Sequence, residues 1–151
     1  MKLIIQIPCF NEEKTLALTV KDLPKRIKGI SKIEYLVIDD GSSDKTVEIG
    51  KKNGVHHLVS HKKNQGLAKA FETGLEKCVL LGADIIVNTD ADNQYNGKDI
   101  EKLINPIINN QADIVIGSRP IKEHKEFSAI KKFLQYIGSM VVRFLSFTDV
   151  K

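Results

Sequence analysis

Val37-Ile38-Asp39-Asp40-Gly41-Ser42-Ser43-Asp44-Lys45-Thr46 reads as the end of a buried strand, an acidic tight turn and the start of a helix. The strand is expected from Ile33 to Ile38, an apolar run too short for a helix. Gly41 permits the tight turn. Ser42-Ser43-Asp44 is turn chemistry followed by a cap, and Thr46 to Lys52 is expected as a helix closed by Asn53-Gly54.

The same unit recurs outward in both directions. Leu3 to Pro8 is a short apolar run bounded by proline. Asn11 is expected to cap a helix with Glu12 and Glu13 in its first turn, where acid suits the helix dipole. Leu16, Val20 and Leu23 supply its apolar face, and Pro24 ends it. Beyond the quoted stretch, Val55 to Ser60 is a third expected strand and Gln65 to Leu81 a long helix. Asp84 to Thr89 is a fourth strand, Lys98 to Asn110 a helix disturbed at Pro106, and Asp113 to Gly117 a fifth strand. Strands alternating with helices imply an α/β fold, a mostly parallel sheet with helices on both faces. Ligands of such sheets bind beyond the carboxyl ends of the strands. Asn11, Asp39, Asp40, Asn64, Asp90, Asp92, Ser118 and Arg119 all fall at those ends, which points to one assembled site.

After Arg119 the character changes. Pro120 to Ser128 is charged and loop-like. From Ala129, Ile130, Phe133, Leu134, Ile137, Met140, Val141, Phe144 and Leu145 follow the spacing of one helix face, with Lys131, Lys132 and Arg143 opposite. This amphipathic helix suits core packing, dimerisation or a position at a membrane surface near anionic headgroups. The uncharged run Phe133 to Val142 is about half of the ~20 residues a spanning helix needs. Met1 to Ile7 has no signal-peptide pattern. The end at Ser146–Lys151 completes no recognisable element, so a fragment is expected.

The 151 residues suit one domain. Hydrophobic residues at 42% and charged residues at 28% exclude a disordered or collagen-like chain, and two cysteines exclude a disulfide scaffold. Cys9 and Cys78 fit a reducing compartment, and cytoplasmic residence is expected. Lys+Arg 23 against Asp+Glu 19 gives +4, which favours anionic partners. Nucleic acid is not expected among them, because the 3 Tyr and 6 Phe form no basic-aromatic stacking platform.

Thr89-Asp90-Ala91-Asp92-Asn93-Gln94 carries the strongest chemistry. Two carboxylates one residue apart can point the same way if the backbone turns at Ala91. With a diphosphate they can hold a hard divalent ion, Mg²⁺ or Mn²⁺, to which Gln94 adds a neutral oxygen. Spacing alone does not separate this from a turn rich in Asp and Asn. Asp39 and Asp40 can accept hydrogen bonds from a base N–H or a ribose hydroxyl, while Asp44 and Thr46 serve the turn and the helix start. Adjacent acids also occur in phosphoacceptor receiver domains, but there they end the first strand and here the second. Cys9 has no histidine in its sequence neighbourhood and reads as a small buried residue rather than a nucleophile. His61-Lys62-Lys63-Asn64-Gln65-Gly66-Leu67-Ala68-Lys69 is a basic, glycine-containing entry to a helix N-terminus, where phosphate is welcome. The chain lacks the phosphate loop of ATPases and GTPases and the glycine fingerprint of dehydrogenases.

In this order, five pieces resemble the family 2 glycosyltransferases of the GT-A fold: Ile7-Pro8-Cys9-Phe10-Asn11-Glu12, the acidic turn at 37–46, Asn64-Gln65-Gly66 with Ala70 and Gly74, Asp90-Ala91-Asp92-Asn93-Gln94, and Gly117-Ser118-Arg119. The Gln after the acidic pair and the Gly-Ser-Arg strand end look most like the dolichyl- or polyprenyl-phosphate mannosyl- and glucosyltransferases. The resemblance implies a nucleotide-sugar-binding GT-A core over residues 1–120. Residues 121–151 would form an acceptor-side loop and an interfacial or dimer helix, cut short of the family's later Thr/Ser-Gly-Phe-Arg-like segment. It implies inverting, metal-dependent transfer from a nucleoside-diphosphate sugar of GDP-mannose or UDP-glucose type to a polyprenyl or dolichyl phosphate, at the cytoplasmic membrane face. The alternatives are a family 2 enzyme acting on a saccharide or cell-envelope glycan, and an inactive, truncated donor-binding domain. By resemblance, Pro8, Phe10, Asn11 and Glu12 border the nucleoside with Asp39 or Asp40, and Asn64, Gly66, Lys69 and Ala91 belong to the donor site. Asp90, Asp92 and Gln94 hold the metal–diphosphate, Asp92 and Arg119 being the catalytic pair. Cys9-Phe10 departs from the family's usual small residue and Tyr, a change that a backbone contact tolerates.

Overall fold

Leu3, Ile4, Ile5 and Ile7 have no exposed surface, because β1 (Lys2–Cys9) is covered on both faces. A strand buried on both sides reads as a continuous apolar run rather than an alternating one. The structure, a computed structural model, describes residues 1–118, 136–141 and 144. The chain divides into two units, Met1–Val115 and Ile116–Lys151.

In the first unit β1 pairs in parallel with β2 (Lys32–Asp39), Leu3 opposite Ile33. β2 pairs with β3 (His57–Ser60), Leu36 opposite His57. On its other side β1 pairs with β4 (Ile85–Asn88), Leu3 opposite Ile85. The sheet order is therefore β3-β2-β1-β4. The intervening helices are α1 (Leu16–Asp22), α2 (Thr46–Lys52), α3 (Leu67–Leu80) and α4 (Asp99–Ile108).

The helices divide between the two faces. Leu16 and Val20 of α1 and Ile100 and Ile104 of α4 pack with Leu3, Ile5, Ile7 and Val37, and Ile49 of α2 covers the same cluster. Ala70 and Cys78 of α3 pack with Ile4, Leu36 and Ile38 on the other face. Right-handed crossovers give this division: β1 to β2 to β3 marches one way, and β3 to β4 returns. The border between β1 and β4 is then the point where the topology switches, the place where such sheets open a crevice. Gln6 crosses that border, its Nε2 donating to Asn88 Oδ1 at 3.1 Å. Gln6 Oε1 faces Gly74, where a Cβ would stand 2.1 Å from it, so α3 reaches the sheet only because residue 74 is glycine.

Two expectations are corrected. Residues 113–117 form no strand, and Ile114 and Ile116 are 81% and 87% exposed. A strand exists only where a neighbour supplies hydrogen bonds, and none of the described strands pairs with this segment. Asn11 does not cap α1, which starts later, at Leu16, with Thr15 as its N-cap. In the second unit, residues 136–141 and 144 are helical, with Tyr136, Met140, Val141 and Phe144 exposed. The rest of the expected amphipathic helix, the 120–128 loop and Arg119 lie outside the described residues. No helix among the described residues is long and apolar enough to cross a membrane.

Candidate functional site

At the carboxyl end of the sheet, the loops after β1 and β2 brace each other through side chain to backbone hydrogen bonds. Asn11 sits at φ 57, a left-handed conformation that Asn tolerates. Its N–H donates to Ser42 Oγ at 2.9 Å, and its Oδ1 accepts Ser43 N–H at 2.9 Å. Glu12 N–H donates to Thr46 Oγ1 at 2.8 Å and Glu13 N–H to Asp44 Oδ2 at 3.0 Å. Asp44 Oδ1 also takes Thr46 N–H at 2.9 Å. Asp44 and Thr46 thus do more than form their own turn: they fix the neighbouring loop. Burial raises the Asp44 pKa, but bonds from the Thr46 hydroxyl and from the amides of Thr46 and Glu13 outweigh it and hold the acid below its usual range. Pro8 is buried within β1, and Phe10, just past it, is exposed.

Asp39 and Asp40 are both buried, and the structure separates their duties. Asp40 Oδ1 accepts Gln65 N–H at 2.9 Å and Oδ2 accepts Gly66 N–H at 2.8 Å. His61 Nδ1 lies 2.7 Å from the same Oδ1, and His61 Nε2 lies 3.0 Å from Thr73 Oγ1. Burial raises the Asp40 pKa, yet the His61 bond and the two amides more than compensate and hold it below the usual carboxylate range. Asp39 Oδ1 accepts Ser42 N–H at 3.1 Å, and among the described residues its Oδ2 takes no hydrogen bond. Between the two loops stands Gly41 at φ +75, where a Cβ would fall 2.6 Å from the Lys63 carbonyl carbon and 2.7 Å from Asn64 N. Asp40 and Gly41 therefore draw the 61–66 loop against the β2 end, with Asn64 exposed and Gly66, at φ 91, opening α3. Lys69, in the first turn of α3, is exposed and pairs with Glu72 at 2.7 Å.

The acidic loop follows β4. Asp90 and Asp92 are half-buried on either side of buried Ala91. Asp92 Oδ1 accepts Gln94 N–H at 3.0 Å, with Asn93 at φ 59, so a tight turn presents the loop, and the Gln94 side chain is exposed. Asp90, Asp92 and the Gln94 amide carry oxygen donors, the chemistry that a hard divalent cation prefers. Among the described residues no three acidic, histidine or cysteine side chains converge to hold a metal ion. A hollow of about 520 Å³ opens beside this loop, lined by Leu18, Lys21 and residues 93–96. Another, of about 420 Å³, lies away from the acids against Tyr35 and His56.

Cys9 is buried, and its Sγ donates to Ile7 O at 3.3 Å. Burial pushes its thiol pKa up, and Glu12, Asp39 and Asp44 push it further, so it carries no nucleophilic thiolate. Sequence reading placed His61 only at the start of the basic entry to the α3 N-terminus and assigned no role to Thr19 or Asp22. The register carries a signal for His61: Ser60 stands opposite Asp39, so His61 stands opposite Asp40. Thr19, whose Oγ1 donates to Ala91 O at 2.9 Å, and Asp22, whose Oδ2 accepts Gly97 N–H at 2.6 Å, lie about seventy residues from their partners, and no local pattern marks them.

Known proteins resemble this chain in sequence and in fold. The family model described as glycosyl transferase family 2 matches residues 4–145. An uncharacterised protein of Methanocaldococcus jannaschii is 38% identical over 97% of this chain and 57% of its own length. The UDP-N-acetylglucosamine–dolichyl-phosphate N-acetylglucosaminyltransferase of Methanococcus voltae is 34% identical over 93% of this chain and 60% of its own length. The chain thus spans little more than half the length of these relatives. Among solved structures, S. aureus TarS in complex with UDP is similar at a TM-score of 0.52 and 26% identity, over 69% of this chain and 32% of its own. Glucosyl-3-phosphoglycerate synthase from Mycobacterium tuberculosis, in complex with Mn²⁺, UDP and glucosyl-3-phosphoglycerate, shares the fold at a TM-score of 0.58 and 21% identity, over 71% of this chain and 39% of its own. With the family model matching residues 4–145 and a relative 34% identical over 93% of the chain, this chain belongs to glycosyl transferase family 2.

Proposed function

We propose that this chain carries the donor half of an inverting transferase that moves a sugar from a nucleoside-diphosphate sugar to a polyprenyl or dolichyl phosphate. The observation that carries the reading is the site's position. The braced β1 and β2 loops and the acidic loop after β4 flank the β1–β4 border at the carboxyl end of one parallel sheet. The M. voltae relative, named for a dolichyl-phosphate transferase, supports the acceptor class, and the complexes with UDP and Mn²⁺ support the donor class and the ion.

In this reading the Pro8–Asn11 backbone and Glu12 border the nucleoside, and the Asp39 carboxylate, the less committed of the acid pair, accepts from base or ribose. Asp40 holds the 61–66 loop instead. Asp90, Asp92 and Gln94 would hold Mg²⁺ or Mn²⁺. That ion, when bound, offsets the negative charge that grows on the leaving diphosphate. Arg119 would clamp a phosphate. An oxygen of the acceptor phosphate forms the new bond to the anomeric carbon as the bond to the diphosphate breaks, inverting that centre. Such an acceptor is already anionic near neutral pH, so no general base is required of the chain.

Calorimetric titration of UDP and GDP, with and without Mn²⁺, tests this. Mn²⁺-strengthened binding of one nucleotide, reduced at least about tenfold by Asp92→Ala, is expected. A folded protein that binds neither nucleotide, or an Asp92→Ala protein with full metal dependence, would overturn the reading.

A further inference from the structure

The acidic loop is not held by its own strand alone. Thr19, on the buried face of α1, is 5% exposed, and its hydroxyl has one proton to give. Ala91 O, at 2.9 Å, is nearer than the intrahelical Thr15 O at 3.3 Å. Ala91 lies between the two carboxylates, so this bond fixes the loop at its centre. Three residues along α1, Asp22 Oδ2 accepts Gly97 N–H at 2.6 Å. At Gly97 a Cβ would stand 2.2 Å from Asp22 O, so the loop's far end lies directly on the helix backbone. At the other end of α1, Glu12 O accepts the N–H groups of Thr15 and Leu16, joining the helix to the braced loop after β1. One short helix therefore touches both loops across the topological switch point.

We infer that α1 is a strut that sets the acidic loop at a fixed distance from the β1 loop, with Thr19 and Asp22 as its positioning residues. The inference deepens the proposed function, since it rests on reading Asp90 and Asp92 as ligands of the metal–diphosphate. A carboxylate pair binds a cation tightly only when its geometry is held beforehand, and partners behind the ligands are where that rigidity comes from. Thr19→Val keeps the side-chain shape and removes the donor, leaving a buried carbonyl without it. Thr19→Ser restores the hydroxyl.

The first readout needs no ligand: hydrogen–deuterium exchange across residues 90–97. Thr19→Val is expected to speed exchange in that loop, with β1 and β2 unchanged, and Thr19→Ser to return it towards the parent rate. Unchanged exchange in the loop, or a uniform rise across the chain, would overturn the inference. The second readout is UDP and GDP binding. Thr19→Val is expected to weaken the Mn²⁺-dependent component about tenfold, with metal-free binding retained. Equal losses with and without Mn²⁺ would overturn it. A parent protein without any Mn²⁺-dependent binding would sink the proposed function instead, and the exchange result would still decide whether α1 holds the loop. Should Thr19→Val fail to fold, Asp22→Ala loosens the other end of the same loop and is read in the same way.

Discussion

Two buried acids lie at opposite ends of β2, and they are satisfied by different means. Glu34, near its start, is 5% exposed and meets Lys2 Nζ at 2.8 Å, Lys32 Nζ at 2.6 Å and His57 Nε2 at 2.9 Å. Asp40, just past its end, is 3% exposed and meets two backbone N–H groups and His61. Lysine side chains cancel charge but fix little backbone, since they are long and adaptable. Backbone amides hold a loop in place, because the donor is the chain itself. The amino end of the sheet is thus stapled, and the carboxyl end is shaped.

The largest expected effect comes from glycines at the two ends. Gly41→Ala must adopt a left-handed φ and also push its Cβ into the Lys63–Asn64 backbone, and it should cost about 4 kcal/mol in urea unfolding. Gly54, at φ +81 with nothing within 4 Å, lies at the stapled end, and Gly54→Ala should cost about 1 kcal/mol. Equal costs would mean that the carboxyl-end loops do not pack as described.

Next come the acids themselves. Asp40→Asn turns an amide NH₂ towards one of its two N–H partners, and Glu34→Gln leaves two lysines short of a charge. Each should lose about 2–3 kcal/mol of stability. Only Asp40→Asn should also weaken nucleotide binding, and calorimetry on both variants checks this. A Glu34→Gln protein with weakened binding would break the distinction between the ends.

A smaller effect is the acid limb of the stability curve. Burial raises the Glu34 pKa, but hydrogen bonds from Lys2, Lys32 and His57 outweigh it and bring it from 4.5 to about 2. A carboxylate depressed in the folded state binds fewer protons there than in the unfolded chain. Its stabilisation is therefore complete above 4.5 and is lost as pH falls towards about 2. Urea midpoints should drop across that window in the parent and drop less in Glu34→Gln. The smallest effect separates nothing between the ends. Cys9 and Cys78 are both buried, burial pushing Cys78 up to about 11, and both should resist a thiol reagent until the protein unfolds.

Much of this was legible locally. The buried runs of β1 and β2, the glycine turn at Gly41 and the bounds of α2 follow from residue type and period, and all match the structure within a residue or two. What failed depended on partners far away in sequence. Asn11 has the chemistry of a helix cap, but Ser42 and Ser43 take its hydrogen bonds, and the chain runs on to Leu16 before turning helical. Residues 113–117 have a strand's composition without a described neighbour to pair with. The acids at 39–40 and 90–92 were visible as chemistry, whereas the division of labour between Asp39 and Asp40 was not. It depends on which carboxylate the 61–66 loop folds back upon.

The order of the strands has a consequence for how the chain comes to its native state. β1 and β2 pair from Lys2 opposite Lys32, a short separation along the chain, but Gln6 and Asn88 meet across 82 residues. Contacts so distant along the chain close late and slow the search, because the entropy of the intervening segment is lost before they form. The β1–β4 border is therefore expected to be the last part of the sheet to assemble. During synthesis from the amino terminus, β1 must wait for its second neighbour with the backbone edge of Leu3 to Gln6 still unpaired, an interval in which this chain is most exposed to pairing with the wrong strand.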